Sequence, residues 1–343
     1  MARFRVAVVG CGAISASWFP TLRARPDVEI VAVADPDTSR ARAASEGCAV
    51  VADVEAAVGE GANLVVNLTP PELHRSVVGR ALELGCDVLG EKPMTTSLAD
   101  AEELIELAAS TGRTYAVMQN RRFERGVRTL RDGLAAGRIG RPTFLCADCF
   151  VGAHFGGFRD EMPSPLLLDM AVHHFDQARF LTGAEPVAVT CHEFNPAGSW
   201  YRGAASAVCT FELDDGSVFS YRGSWCAEGA RTSWNGTWRV VGTEGTALWD
   251  GDGPPWSERA VRPREPQLLW PAELERWEPT SHADDGHEAC IADVLDALTE
   301  GRAPETDASD NVRSLAMVFA ALESAREGRR IELEELASPS PAR

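Results

Sequence analysis

Asp169, His173 and Asp176 recur at i, i+4 and i+7 along LLLDMAVHHFDQARFL, a segment that is otherwise mainly apolar. In a helix this spacing sets all three on one narrow stripe. Buried carboxylates are costly unless they are paired or do chemistry. An imidazole with an ordinary pKa of about 6.5 suits proton transfer to and from a hydroxyl near neutrality. Two other readings stand beside this one. The residues can form a structural Asp–His pair satisfying itself in the core, or they can bind a metal, although the further His or Cys ligands usual at such sites are missing. His174 lies about one hundred degrees round the helix and falls off the stripe. Ser164-Pro165 in front supplies a cap and a first-turn proline.

A second constellation stands at the start of the chain. Gly10-Cys11-Gly12-Ala13-Ile14-Ser15 follows the apolar run FRVAVV and opens a helical stretch. The first glycine allows a tight turn, the second lets backbone amides approach a pyrophosphate, and the helix N-terminus favours the negative charge. Ser15 stands where glycine or alanine is usual, a modest departure. Asp35 ends the next apolar run, where a carboxylate accepts hydrogen bonds from both ribose hydroxyls. It also repels a 2′-phosphate, which favours NAD over NADP, while Arg40 nearby softens that preference. As part of Asp-Pro-Asp, Asp35 reads equally as a turn residue. Lys92, in Glu91-Lys92-Pro93, ends another such run, and ligands of open α/β sheets bind beyond the carboxyl ends of the strands. A surface lysine is the plain alternative.

These residues need a scaffold. Residues 1–120 alternate short apolar runs with helical patterns of ten to fifteen residues, which means βαβ units and a parallel sheet covered on both faces. Ser97 opens SLAD as a capping-box-like start, and that helix ends at Gly112. After Arg121 the pattern changes: a helix through Leu134, a strand near 142–151, the helix from Pro165 to Leu181, then strand upon strand. The DDG and TEG segments mark hairpin turns. The expected architecture is an α/β dinucleotide-binding domain over 1–120, then an α+β domain over 121–330 with an open, mainly antiparallel sheet. Helices at 287–300 and 309–327 pack back, and 331–343 form a terminal strand and a frayed tail, SPSPAR.

Composition bounds the partners. The 343 residues carry a net charge of −18, which excludes the cationic footprint of a nucleic-acid binder and a polybasic membrane anchor. No apolar run nears the ~18 residues of a membrane span, and Gly10, Gly12 and Ser15 break the leading run before it resembles a secretory signal. A cytoplasmic protein with a small-molecule partner is expected. Nine cysteines without framework spacing read as reduced thiols. Cys146 and Cys149, three apart on a strand, point to opposite faces, so neither zinc nor redox chemistry is expected there.

GCGAIS, TPPELH at 69–74, EKP at 91–93, the D-x-x-x-H-x-x-D of 169–176 and the late NVRSLAMVFAALESAREGRRIEL stand in one order. In that order they resemble the Gfo/Idh/MocA family, named for glucose–fructose oxidoreductase and inositol dehydrogenase, over essentially the whole chain. The resemblance implies a Rossmann domain, an open-sheet substrate domain, and NAD or NADP as cofactor. It implies Lys92, Asp169 and His173 as the catalytic group, acting on a secondary alcohol of a sugar or cyclitol. In this division of labour His173 is the base, Lys92 stabilises charge on the reacting oxygen, and Asp169 orients Lys92 or holds another hydroxyl. Cofactor contacts are expected from Gly10, Gly12, Ala13, Ile14, Asp35, Thr69, Pro70, His74, Glu91 and Lys92, with a solvated helix residue as the alternative for His74. Substrate contacts are expected from Asn120, Arg121 and Trp234, although Trp234, with Trp225 and Trp238, also suits packing of the sheet. His154 and Arg159 lie in a glycine-rich loop positioned to cover the site. No metal is expected. Redox-assisted glycoside hydrolysis and a non-catalytic dinucleotide sensor are the competing functions. A homodimer or homotetramer is expected to cover the open sheet.

Overall fold

The computed structural model describes residues 3–280 and 285–337. The chain divides into two compact units, Met1–Asn120 with Asp284–Leu315, and Arg121–Ala283 with Ala316–Arg343.

The first unit is built from β1 (Phe4–Val9), α1 (Ser15–Ala24), β2 (Val28–Ala34), α2 (Thr38–Ser45), β3 (Ala49–Val51), α3 (Val54–Gly59), β4 (Leu64–Asn67), α4 (His74–Glu83), β5 (Asp87–Gly90), α5 (Leu98–Thr111) and β6 (Tyr115–Val117). The six strands are all parallel, in the order β3-β2-β1-β4-β5-β6. Their near-continuous apolar sequences follow from burial on both faces: all of β4 and most of β1 are buried. The order reverses at β1, between β2 and β4, which opens a ligand crevice at the strands' carboxyl ends. Ser97 caps α5 as the sequence predicts. Its hydroxyl accepts from Asp100 N at 3.1 Å and donates to Asp100 Oδ2 at 2.8 Å, and Gly112 ends the helix at φ 64°.

The second unit begins with α6 (Arg125–Ala135) and β7 (Pro142–Phe150), then a π-helical turn over Leu166–Ala171 that runs into α7 (Val172–Thr182). There follow β8 (Pro186–Phe194), β9 (Ser206–Leu213), β10 (Val218–Ser224), β11 (Thr237–Gly242), β12 (Gly245–Trp249), β13 (Trp256–Ala260) and β14 (Ala272–Arg276). The remaining elements are α8 (Gly286–Glu300), α9 (Ala308–Glu327), β15 (Ile331–Glu332) and α10 (Glu334–Ala337). Nine strands form one open sheet, β14-β13-β12-β11-β7-β10-β9-β8-β15, antiparallel except for the β7–β10 pair. Alternation along β9, where Val208, Thr210 and Glu212 are exposed between buried neighbours, shows one covered and one open face. On the covered side Phe175 of α7 meets Phe211 and Tyr221 edge-on, with ring centroids 4.8 and 5.3 Å away.

Two boundaries differ from expectation. Residues 284–315 belong to the first unit rather than to an unbroken 121–330 domain. The reason is local: α8 packs on α1, and Asp307 bridges to Ala116 of β6. The hairpin β13–β14 and the short β3 were not anticipated; VRPREPQLLWP between β13 and β14 reads as loop and hides the pairing. The tail SPSPAR lies outside the described residues.

Candidate active site

The glycine loop leaves β1 at Gly10, whose φ of +99° is open to glycine but strained for other residues. A Cβ there would stand 2.6 Å from the Leu68 carbonyl carbon and oxygen, so the end of β1 and the end of β4 approach at a distance only glycine permits. A Cβ on Gly12 would meet nothing within 4 Å: the loop faces open space. Ala13 and Ile14 are exposed, and no side chain caps the start of α1. Ser15 is buried and its hydroxyl returns to Gly12 O at 2.7 Å, an economical use of the position where glycine or alanine is usual.

Asp35 serves the turn that the sequence suggests and also holds the glycine loop. Its Oδ2 accepts from Cys11 N at 2.8 Å, and its Oδ1 accepts from Asp37 N at 2.8 Å. The first bond ties β2 to the glycine loop, and the second closes the Asp-Pro-Asp turn. Each oxygen keeps a further lone pair for a ribose hydroxyl. Asn67, buried at the end of β4, accepts from Thr69 N and Thr69 Oγ1 at 3.2 and 2.7 Å. Its Nδ2 has no acceptor among the described residues, a buried donor at the strand end where ligands of parallel sheets bind. Open space at Gly12, an uncapped helix start, a fixed carboxylate and an orphaned amide donor together fit a bound dinucleotide.

The rest of this wall is internally braced. His74 is fully buried rather than solvated: Nε2 lies 2.8 Å from Thr69 O and Nδ1 lies 2.8 Å from Pro93 O. It ties the Thr69-Pro70 turn to the segment after β5. Glu91 accepts from Trp18 Nε1 at 2.8 Å and from Lys92 N at 3.2 Å. Burial pushes its carboxyl above the usual carboxylate range. Lys92 is half-buried and its peptide bond to Pro93 is cis. Asn120 closes this unit, its Nδ2 3.2 Å from His287 Nδ1 on α8.

In the second unit, the polar stripe spans two helical segments. The π-helical turn carries Asp169, and His173 follows on α7, where it is buried. Single π-helical turns inside α-helices concentrate at functional sites, and no residue type announces them in advance. Asp176 has a partner from outside the stripe. It is fully buried and takes two hydrogen bonds from Arg122, one from Nε at 2.9 Å. Ser164 does not cap the helix, because its hydroxyl donates to Glu193 Oε2 at 2.9 Å. That carboxyl is pushed up to about 7 by burial. His174 is buried among aromatic rings, with both ring nitrogens lacking hydrogen-bond partners among the described residues.

Arg159 emerges as the partner of Asp169. Its Nε donates to Asp169 Oδ2 at 2.6 Å, and its guanidinium lies 4.9 Å from the Phe155 ring centroid and 4.7 Å from that of Phe158. Phe155 and Phe158 are exposed, and Phe155 stands 6.0 Å from Trp234, itself 41% exposed. Trp225 and Trp238, by contrast, are buried in the core. Neither phenylalanine was singled out from the sequence. The available signal was their type: two aromatics in a glycine-rich loop with no packing pattern to require them. His154 takes another course, stacking on Trp200 at 3.7 Å and meeting Glu228 at 2.6 Å. Arg121 donates to Asn235 Oδ1 at 2.9 Å, and burial lowers its pKa below the ordinary guanidinium value. All nine cysteines are free, and among the described residues no cluster of three or more metal-ligating side chains occurs. None of the described helices is long and apolar enough to cross a membrane.

Comparison with known proteins matches this division. Residues 4–119 fit the model of the oxidoreductase family with an NAD-binding Rossmann fold, and residues 127–248 fit the GFO/IDH/MocA C-terminal domain. Inositol 2-dehydrogenase 4 of Saccharopolyspora erythraea is 30% identical over 304 residues, covering 81% of this chain and 86% of its own. D-apiose dehydrogenase of Paraburkholderia graminis is 28% identical over 365 residues, covering 99% and 92%. An Agrobacterium radiobacter oxidoreductase, solved with NAD+, L-tartaric acid and magnesium, superposes with a TM-score of 0.87 at 20% identity, over 98% of this chain and 100% of the other. With its glycine loop, its two sheets and these relatives, the chain belongs to the Gfo/Idh/MocA family and is an NAD(P)-dependent oxidoreductase.

Proposed function

We propose that the protein moves hydride between NAD(P) and a secondary alcohol or ketone of a sugar or cyclitol, with Lys92, Asp169 and His173 as its catalytic residues. The observation that carries this reading is the π-helical turn that holds Asp169 and leads directly into the helix bearing His173. The relatives named for inositol and D-apiose support the substrate class. When bound, the cofactor supplies the hydride acceptor or donor. Gly10, Gly12, Ala13 and Ile14 would hold its pyrophosphate, and Asp35 its ribose. Thr69 and Pro70 would line its nicotinamide half. His74 and Glu91 serve that wall by bracing it from behind.

His173 takes the hydroxyl proton in oxidation and returns it in reduction. A buried imidazole is shielded from bulk water, so the proton passes to the substrate oxygen rather than being lost. The Lys92 ammonium donates a hydrogen bond to that oxygen and stabilises the negative charge that develops on it. Asp169, steadied by Arg159, orients the substrate or Lys92. Asn120 and Arg121 contribute polar contacts, and Trp234 with Phe155 offers aromatic faces of the kind on which sugars stack.

The test is the reduced-nicotinamide absorbance band, followed while purified protein meets NAD with a panel of inositols and aldoses. A steady rise with one polyol is expected. Glycoside cleavage without net NAD consumption would favour redox-assisted hydrolysis. Tight dinucleotide binding with no turnover in either direction would favour a sensor. A homodimer or homotetramer is part of the same proposal. Phe144, Val187, Phe194 and Val208, each 40–41% exposed, lie on strands of the open sheet and form apolar surface that a second copy would cover. Sedimentation as a monomer at micromolar concentration would refute that part.

A further inference from the structure

Asp35 is not the only carboxylate where β2 gives way to α2. Asp37 caps α2: its Oδ1 accepts from Ser39 N at 2.9 Å, from the Ser39 hydroxyl at 2.5 Å and from Arg40 N at 3.4 Å. The Ser39 hydroxyl, then the two backbone amides, hold its carboxyl below the usual carboxylate range, so it is charged at neutral pH. Its second oxygen, Oδ2, lies 3.3 Å from Arg40 Nε. Arg40 stands in the first turn of α2, with 61% of its side chain exposed.

This matters because of what surrounds a ribose at the end of β2. Asp35 is held there by two backbone amides, from Cys11 and Asp37, and cannot swing away without breaking the glycine loop or the turn. A 2′-phosphate at that place would face a fixed negative charge. It would need a free guanidinium, which binds phosphate oxygens through paired N–H donors. Arg40 is the cation of that first turn, and one of its donors is turned to Asp37.

We infer that Asp37 is a specificity-determining residue for the cofactor: by pairing with Arg40 it withholds the cation that NADP requires, and so selects NAD. The inference rests on the reading of the glycine loop as the dinucleotide site. Two acidic residues divide the work. Asp35 opposes the extra phosphate directly, and Asp37 detains its natural counterion. Because an exposed ion pair is weak, the detention is reversible, and one charge removed from Asp37 releases Arg40.

The experiment is titration of NADH and NADPH against the purified protein by nicotinamide fluorescence, in the wild type and in Asp37→Asn. Asparagine keeps the helix cap while losing the charge. Asp37→Asn is expected to tighten NADPH binding by about fivefold and to change NADH binding by less than about twofold. Arg40→Gln added to Asp37→Asn is expected to abolish the gain. Asp37→Ser, which also caps, gives the same test should the asparagine variant fail to fold. An unchanged NADPH affinity in a variant that still binds NADH overturns this inference alone, as does a gain that survives Arg40→Gln. A wild-type protein that binds neither dinucleotide overturns both this inference and the reading of the loop beneath it.

Discussion

Arg159 donates from Nε to Asp169 Oδ2 at 2.6 Å while its guanidinium sits against two exposed phenylalanine rings. A residue from a surface loop thus holds a carboxylate on the helix that carries His173. The side chains are 32% and 12% exposed, so the pair is only partly screened by solvent.

Arg159→Ala is accordingly expected to lower kcat/KM by about tenfold, equivalent to about 1.4 kcal/mol, with little change in Tm. Steady-state kinetics with the best polyol checks this. Unchanged kcat and KM would mean that Arg159 only packs the loop. Arg159→Lys is expected to recover part of the loss, because lysine keeps the charge without the planar fork.

His173→Asn is expected to reduce turnover by roughly 10²–10⁴-fold, the usual contribution of a positioned acid–base group. NADH affinity, measured by fluorescence titration, should stay within a few fold. Wild-type turnover in this variant would remove His173 from the mechanism.

Gly10→Ala should weaken dinucleotide binding and lower stability together. The added methyl would overlap the Leu68 backbone at 2.6 Å, and the positive φ adds strain of about 1–3 kcal/mol. Thermal unfolding alongside NADH titration provides the check; a variant unchanged in both would show that β1 and β4 can part at no cost.

Asp176→Asn removes the carboxylate charge that faces the Arg122 guanidinium, a side chain only 5% exposed. Destabilisation of about 3–5 kcal/mol is the expectation for breaking a buried pair from one side. Urea unfolding measures it. A loss below about 1 kcal/mol would place this pair with weak surface bridges instead.

Acid stability should carry the signature of His174. Burial and the nearby Arg121 charge pull its pKa down to about 3, against 6.5 for an ordinary histidine. Between those values the unfolded chain holds a proton that the folded one refuses, so stability is full above pH ~6.5 and falls as pH drops toward ~3. Glu193 works in the opposite sense: burial raises it to about 7, so it favours the fold below pH ~4.5 and loses that contribution as pH rises toward ~7. The two slopes offset between pH ~4.5 and ~6.5. His174→Phe should therefore change the pH dependence of urea stability by up to about 1.4 kcal/mol per pH unit across that window. Parallel profiles for wild type and variant would contradict a neutral His174.

The first unit was largely legible because its signals are local. Gly10 marks a turn by its lack of a side chain, Ser97 caps its own helix, and Asp35 closes its own turn. The second unit was legible in kind but not in detail. Asp176 reads as a member of the Asp169–His173 stripe, but its partner Arg122, 54 residues earlier, cannot be read from that spacing. Ser164 reads as a helix cap until Glu193 claims its hydroxyl. The π-helical turn shifts the phase of the helix, so counting by 3.6 residues misleads at the segment of greatest interest. His74 shows the limit differently: its position in the motif was recognisable, but its burial depends on two carbonyls brought by separate turns. Pairings across long sequence separations leave no periodic trace, and the partners of Asp176, Ser164 and His74 share that cause.

Neither compact unit is a continuous stretch of chain. The first includes residues up to Leu315, and the nine-stranded sheet takes its edge strand from Ile331–Glu332. Within that sheet β7 lies between β10 and β11, partners made some seventy to ninety residues after it. During synthesis, therefore, β7 must wait unpaired at both edges, and each unit remains open until the stretch beyond Asp284 has emerged. Assembly of each unit is thus a late event, and until β10 and β11 emerge the open edges of β7 are places where another chain could pair.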